Sequence, residues 1–313
     1  MVVLSRDAFY TGLVCPASEL RANASFVPRG WHFTYSGQQR RDLPINGDEV
    51  MIHASQWSTA QKALDLILGG LCVLHGDPPP LANKLIAWND SEPEFGHLFA
   101  TLKDRAYSTT GIPRACDLAA KASRDARYVY AIAKYYFSIS RFAVEGMDLD
   151  PSNIVNLRIS QTPDDHILFA YSIISAYSVL EDLGLEIRST KENPSRVNGK
   201  WNPAVKEELE ARLVKAKINI SEPIFWIMRG TRRRTEKAMP LPVFSRLEWA
   251  RGPVRDADIR LLDAIAYSSW LRSKVASHRT RDLARSLSPY DVVNVQALAR
   301  RLILECLGFW SVE

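Results

Sequence analysis

Ser288–Gly308, SPYDVVNVQALARRLILECLG, reads as a complete α-helix with both of its ends written into the sequence. Ser288 stands as N-cap, Pro289 occupies the first turn where its missing N–H does no harm, and Asp291 follows three residues after the cap. Val292, Val295, Leu298, Ala299, Leu302, Ile303 and Cys306 recur at three- and four-residue steps and form one apolar stripe. Gly308 falls where a left-handed C′ residue belongs. Upstream, Asp256–Ser277 reads as a second long helix, with Ile259, Leu262, Ile265, Ala266 and Ser269 on one face. Farther out, Asp164–Arg188 reads as a helix ending near Gly184, its expected apolar face being Ile167, Ala170, Tyr171, Ile174, Tyr177 and Leu180. Ala204–Lys217 is a shorter amphipathic helix, Glu-rich early and Lys-rich late as the macrodipole favours. Asn193–Pro203 (NPSRVNGKWNP) is dense in turn residues and reads as a loop.

The N-terminal part is mixed. Ser25–Ser36 and Asp48–Ala54 are short, rich in β-formers and read as strands. A helix follows over Ser58–Leu74, and Pro80 to about Tyr107 is weakly patterned. From Arg114 toward Val144 a single long helix is expected, with Tyr128, Ile132, Tyr135, Tyr136, Ile139 and Phe142 as its stripe. At that spacing aromatic residues serve a core more often than they stack on bases. The fold class is therefore mainly α, a C-terminal helical bundle with a smaller α+β N-terminal portion. The expected division is residues 1–112 and 113–313.

Composition narrows the function classes. Of 313 residues 46% are hydrophobic and 24% charged, which excludes disordered, fibrous and low-complexity chains. No apolar run reaches the roughly 18 residues of a membrane span, and Met1–Leu20 does not read as a secretory signal. Cys15, Cys72, Cys116 and Cys306 make no CxxC pair, so a reducing, cytoplasmic setting is expected, with no membrane partner. The net charge of +5 is concentrated in the C-terminal third. Arg229–Lys237 (RGTRRRTEK) holds Arg229, Arg232, Arg233, Arg234 and Lys237 against a single acid. Such a run suits phosphate oxygens, or else is a solvated loop.

Phosphate-loop, dinucleotide, nucleophile-elbow and zinc-protease signatures are all missing from the sequence. His32, His53, His75 and His97 follow one another at intervals of 21 or 22 residues, with no close carboxylate or Cys pattern. They make a zinc site only if the fold converges them. Asp148 with Asp150, and Asp164 with Asp165, precede expected helices and read as capping groups. No cofactor or metal enters the leading reading.

One constellation carries chemistry. Arg272-Ser273-Lys274-Val275-Ala276-Ser277-His278 lies between the last two long helices, followed by Arg279 and Arg281. This arrangement resembles the R-x(4–6)-H motif of HEPN-superfamily proteins. The resemblance covers about 164–307: a long helix with Glu181 and Asp182 near its end, a second helix at Ala204–Lys217, and the Arg–His pair between the last two. It implies a metal-independent endoribonuclease, in toxin or antiviral defence settings, with two motifs facing each other across a homodimer cleft. Arg272 would then bind and polarise phosphate, Ser273 would fill the polar position after it, and His278 would move protons near neutral pH. The family commonly has Asn, Asp or His after the Arg, so Ser273 is a departure. Six positions on an unbroken helix rotate by about 600°, leaving the two side chains roughly 120° apart. Arg272 and His278 therefore need a helix end, a bend or a second subunit to meet. RNA is the expected partner, with Arg229, Arg232, Arg233, Arg234, Lys237, Lys274, Arg279 and Arg281 as backbone contacts.

Enzymatic activity stays open at this level. The same helices also suit a non-catalytic dimerisation module that binds nucleic acid or an acidic protein. Arg272 and His278 would then only cap a helix C-terminus. A metal-dependent hydrolase built from dispersed His and Asp residues is a third reading.

Overall fold

The computed structural model describes residues 31–36, 47–54, 57–76, 82–83, 96–103, 111–143, 162–197, 200–227, 256–276 and 287–310. The protein is mainly helical, with seven helices, one four-stranded sheet and two two-stranded ladders among the described residues. It divides into two compact units, Met1–Tyr136 and Phe137–Glu313. The division falls later than residue 112 because helix Gly111–Ala122 packs on helix Trp57–His75 inside the first unit.

The first unit runs β1 (Trp31–Ser36), β2 (Gly47–Ala54), α1 (Trp57–His75), β3 (Ala82–Asn83), β4 (Gly96–Lys103), α2 (Gly111–Ala122) and most of α3 (Ala126–Arg141). Its sheet has the order β1-β2-β4-β3, every pair antiparallel. The weakly patterned Pro80–Tyr107 stretch thus supplies two strands. In β4, GHLFATLK, residues 98, 100 and 102 are apolar, with His97, Thr101 and Lys103 polar on the other set and Phe99 the one apolar residue there. That period of two is a half-buried strand signal. The long helix expected from Arg114 is instead two. Asp125 breaks it by accepting the Arg127 backbone N–H at 2.9 Å, an N-cap for α3. The Arg127 guanidinium, hydrogen-bonded to the same carboxyl, holds Asp125 below the usual carboxylate range.

Gly69 and Gly70 let α1 close on its neighbours. A Cβ on Gly69 would stand 2.6 Å from Ile132 Cγ2, and one on Gly70 would stand 3.2 Å from the Ala115 carbonyl oxygen. Ile132 is fully buried and has little room to retreat. Gly69→Ala should therefore lower stability by about 1–3 kcal/mol despite alanine's better helix propensity. Urea denaturation measures this, and an unchanged or raised midpoint would contradict the close approach.

The second unit continues through α4 (Pro163–Leu183), β5 (Arg196–Val197), β6 (Lys200–Trp201), α5 (Pro203–Lys215), β7 (Ile224–Trp226), β8 (Ala257–Ile259), α6 (Leu261–Ala276) and α7 (Pro289–Leu307). α7 has the ends its sequence specifies: Ser288 and Asp291 form a capping box, and Gly308 takes φ 69°. α4 is closed in the same way by Thr162 with Asp165 and by Gly184. Arg212 adds a cation at that C-terminus, donating to the Gly184 carbonyl at 2.6 Å and the Glu186 carbonyl at 2.7 Å.

Two readings change on packing. The Asp256–Ser277 helix begins only at Leu261, because 257–259 pair with β7 and bury Ile259 in a ladder. On α4, Ile167 and Tyr171 are exposed, while Phe169, Ile173, Ala176, Leu180 and Leu183 are buried. This helix is apolar nearly all round, and its contacts with α6 and α7 select the face.

Buried polar groups fix the register of the bundle. Asp263, with no exposed surface, accepts hydrogen bonds from Arg196 at 2.8 Å, Trp201 Nε1 at 2.9 Å and Arg260 at 2.8 Å. These tie the β5–β6 hairpin to the start of α6. From α7, the Asn294 carboxamide both accepts from the Ile227 N–H and donates to its carbonyl, each at 2.9 Å. Arg301 pairs with Glu305 at 2.7 Å and donates to the carbonyls of Pro223 and Asn219.

Candidate functional site

The end of α6 meets the end of α4. Tyr177 and Glu181 lie one turn apart on α4, and Ser269 and Arg272 lie nearly one turn apart on α6. Tyr177 is buried, which pushes its hydroxyl pKa up, and hydrogen bonds with Ser269 and the Ile187 backbone partly oppose that shift. One turn farther out, Arg272 Nη2 stands 3.0 Å from Glu181 Oε1. This rung is partly solvated, the two side chains being 44% and 35% exposed. An ion pair in that setting contributes only about 0–1 kcal/mol. A phosphate group, two of whose oxygens take parallel N–H bonds from one guanidinium, is a strong competitor for Arg272.

The sequence-derived site residues fare unequally. Arg272 and Ser273 lie side by side on the exposed surface of α6. The Ser273 hydroxyl donates to the Trp270 carbonyl at 2.7 Å, a local bond within its own helix. That bond does not orient Arg272. Lys274 is on the same helix, whose described part ends at Ala276. His278, Arg279 and Arg281 lie outside the described residues, as do Arg229, Arg232, Arg233, Arg234 and Lys237. Glu181, expected near the end of the first bundle helix, is the group that reaches Arg272.

Sequence reasoning missed an aromatic surface. On α3, Ile132, Tyr135 and Ile139 are buried, but Tyr130 and Phe137 are 62% and 43% exposed. The Arg141 guanidinium lies 4.9 Å from the Phe137 ring centroid. Within the second unit, Ser138 donates to the Ser172 carbonyl at 2.8 Å, and exposed Tyr171 directly precedes that residue. The available signal was that these rings sit off the main apolar stripe. The helix α3 also carries Arg127, Lys134 and Arg141 with no carboxylate.

His166, in the first turns of α4, is buried, and neither ring nitrogen has a hydrogen-bond partner among the described residues. Burial pushes its pKa below the usual histidine value. A folded-state pKa below the unfolded one means that stability is complete above about pH 6.5 and is lost as pH falls below it. His166→Asn should remove this acid-sensitive component. Melting temperatures compared between pH 7.5 and 5 should show the gap between wild type and variant narrowing in acid. A constant gap would contradict it.

Among the described side chains, no three His, Cys, Asp or Glu gather as a metal-holding group. Among the described residues, no helix is long and apolar enough to cross a membrane. No family model matches the chain, and neither a curated protein nor a solved structure matches it.

Proposed function

We propose that the second unit acts on RNA as a metal-independent endoribonuclease of HEPN type, working as a homodimer. The observation that carries this reading is the Arg272–Glu181 rung. It sets a guanidinium on solvent-exposed surface where two bundle helices end, six residues before His278. Glu181 would hold the Arg272 fork until phosphate replaces it. His278 would take the 2′-hydroxyl proton and return one to the leaving 5′-oxygen, the reaction requiring no metal. Arg229–Lys237 would supply backbone attraction.

The test is cleavage of labelled single-stranded RNA by the full chain in excess EDTA, beside Arg272→Ala and His278→Ala. Activity that persists in chelator and is lost in both folded variants supports the proposal. Hydrolysis abolished by chelator removes it.

A second reading is a non-catalytic module that binds nucleic acid or a protein partner. Two observations favour it: the Ser273 hydroxyl is committed to its own helix, and Phe137 with Arg141 forms an exposed aromatic–cation pair. Rings and guanidinium planes of this sort stack on unpaired bases. RNA binding without cleavage, weakened by Phe137→Ala, would establish this reading over the first.

A further inference from the structure

We infer that the sheet of the first unit carries a transition-metal site: His32, His53 and His97 stand in one transverse row across β1, β2 and β4. In the antiparallel register His32 is opposite His53, and His53 is opposite His97. Three of the chain's six histidines thus share a single row of three adjacent strands. Directly opposed residues lie on the same sheet face, with Cβ atoms about 4.5–5.5 Å apart. The register therefore places three histidine positions in one row on one face, with His53 between the other two, a juxtaposition that histidines on alternating faces do not have.

Alternation gives this sheet two unlike faces. The next row on one face is Phe33, Ile52 and Leu98, all apolar. On the histidine face, rows farther along are Thr34–Met51–Phe99 and Ser36–Glu49–Thr101. The row is therefore on the more polar face. Its donor set is nitrogen only, with no carboxylate or thiolate among the three positions. Calcium and magnesium prefer oxygen ligands, while zinc, copper, nickel and iron(II) suit imidazole. Three histidines with a fourth position open to water is also a catalytic zinc donor set. These histidines stand 21 and 44 residues apart in the sequence, and the register of the strands is what aligns them. His75, which lies between His53 and His97 in the sequence, ends α1 and does not join the row.

This inference is independent of the RNA reading, which concerns the other unit and needs no metal. The experiment uses the full chain stripped with chelator and titrated with Zn²⁺ against a chromogenic competitor. One ion per chain should bind. His53→Gln, at the centre of the row, should weaken binding by more than the roughly 10- to 100-fold that changes in outer-shell partners cause. His32→Gln and His97→Gln should follow it, and His75→Gln should bind as wild type. Co²⁺ should give an intense tetrahedral visible spectrum that His53→Gln abolishes. Occupancy should fall with pH through about 6.5, as imidazoles protonate. Circular dichroism establishes that each variant is folded, and His32→Gln serves if His53→Gln is not. No saturable binding by the wild type would overturn the inference. So would unchanged affinity in folded His53→Gln and His97→Gln, or a weak six-coordinate Co²⁺ spectrum. RNA cleavage in EDTA would leave it untouched.

Discussion

His278→Ala should lower metal-independent RNA cleavage by about 10²–10⁴-fold, the contribution of a positioned acid–base group. Arg272→Ala should lower it by about 10²–10³-fold, as expected for one donor to the developing phosphoryl charge. The two losses should be less than additive if both groups serve one transition state. Glu181→Gln discriminates further. If Glu181 restrains Arg272 against phosphate, neutralising it frees the guanidinium and tightens RNA binding. If the rung is purely structural, RNA affinity stays unchanged. Single-turnover rates and anisotropy titrations on the same preparations read both effects. Full cleavage by folded Arg272→Ala would end the nuclease reading, which assigns the phosphate-binding role to Arg272.

Asp263→Ala should destabilise the second unit by about 3–5 kcal/mol, the cost of leaving a buried partner charge uncompensated. The carboxylate has no exposed surface and holds two guanidiniums and an indole N–H. Its loss strands Arg196, whose side chain is only 13% exposed. Asp263→Asn keeps the shape and one acceptor oxygen, so it should cost less. Urea denaturation with an unchanged m-value would assign the effect to the native state. A loss below about 1 kcal/mol would mean that the partners find water instead.

The sequence made α7 fully legible, since Ser288, Asp291 and Gly308 act through local backbone chemistry. Local signals failed where a choice depended on distant partners. Ile167 and Phe169 are equally apolar, and only packing with α6 and α7 decides which is buried. Ile259 fits a helical stripe, yet β7 captures it. The site was legible to the same extent: Arg272, Ser273 and the acidic end of the first bundle helix at Glu181 were named, but their pairing depends on how α4 and α6 pack. The histidines were visible, while the alignment of three of them required the register of three strands.

The β7–β8 ladder has a practical corollary. Trp226 and Ala257 face each other across one rung, so the two ends of the segment that joins them are held side by side. Neighbouring strands lie about 4.7–4.9 Å apart, a gap that a short Asn-Gly type linker spans. Residues 228–255, which include the arginine-rich run, can therefore be replaced by a short linker that keeps this rung and the Ile227 bonds to Asn294. Such a shortened chain would separate what the basic tract does from what the bundle does.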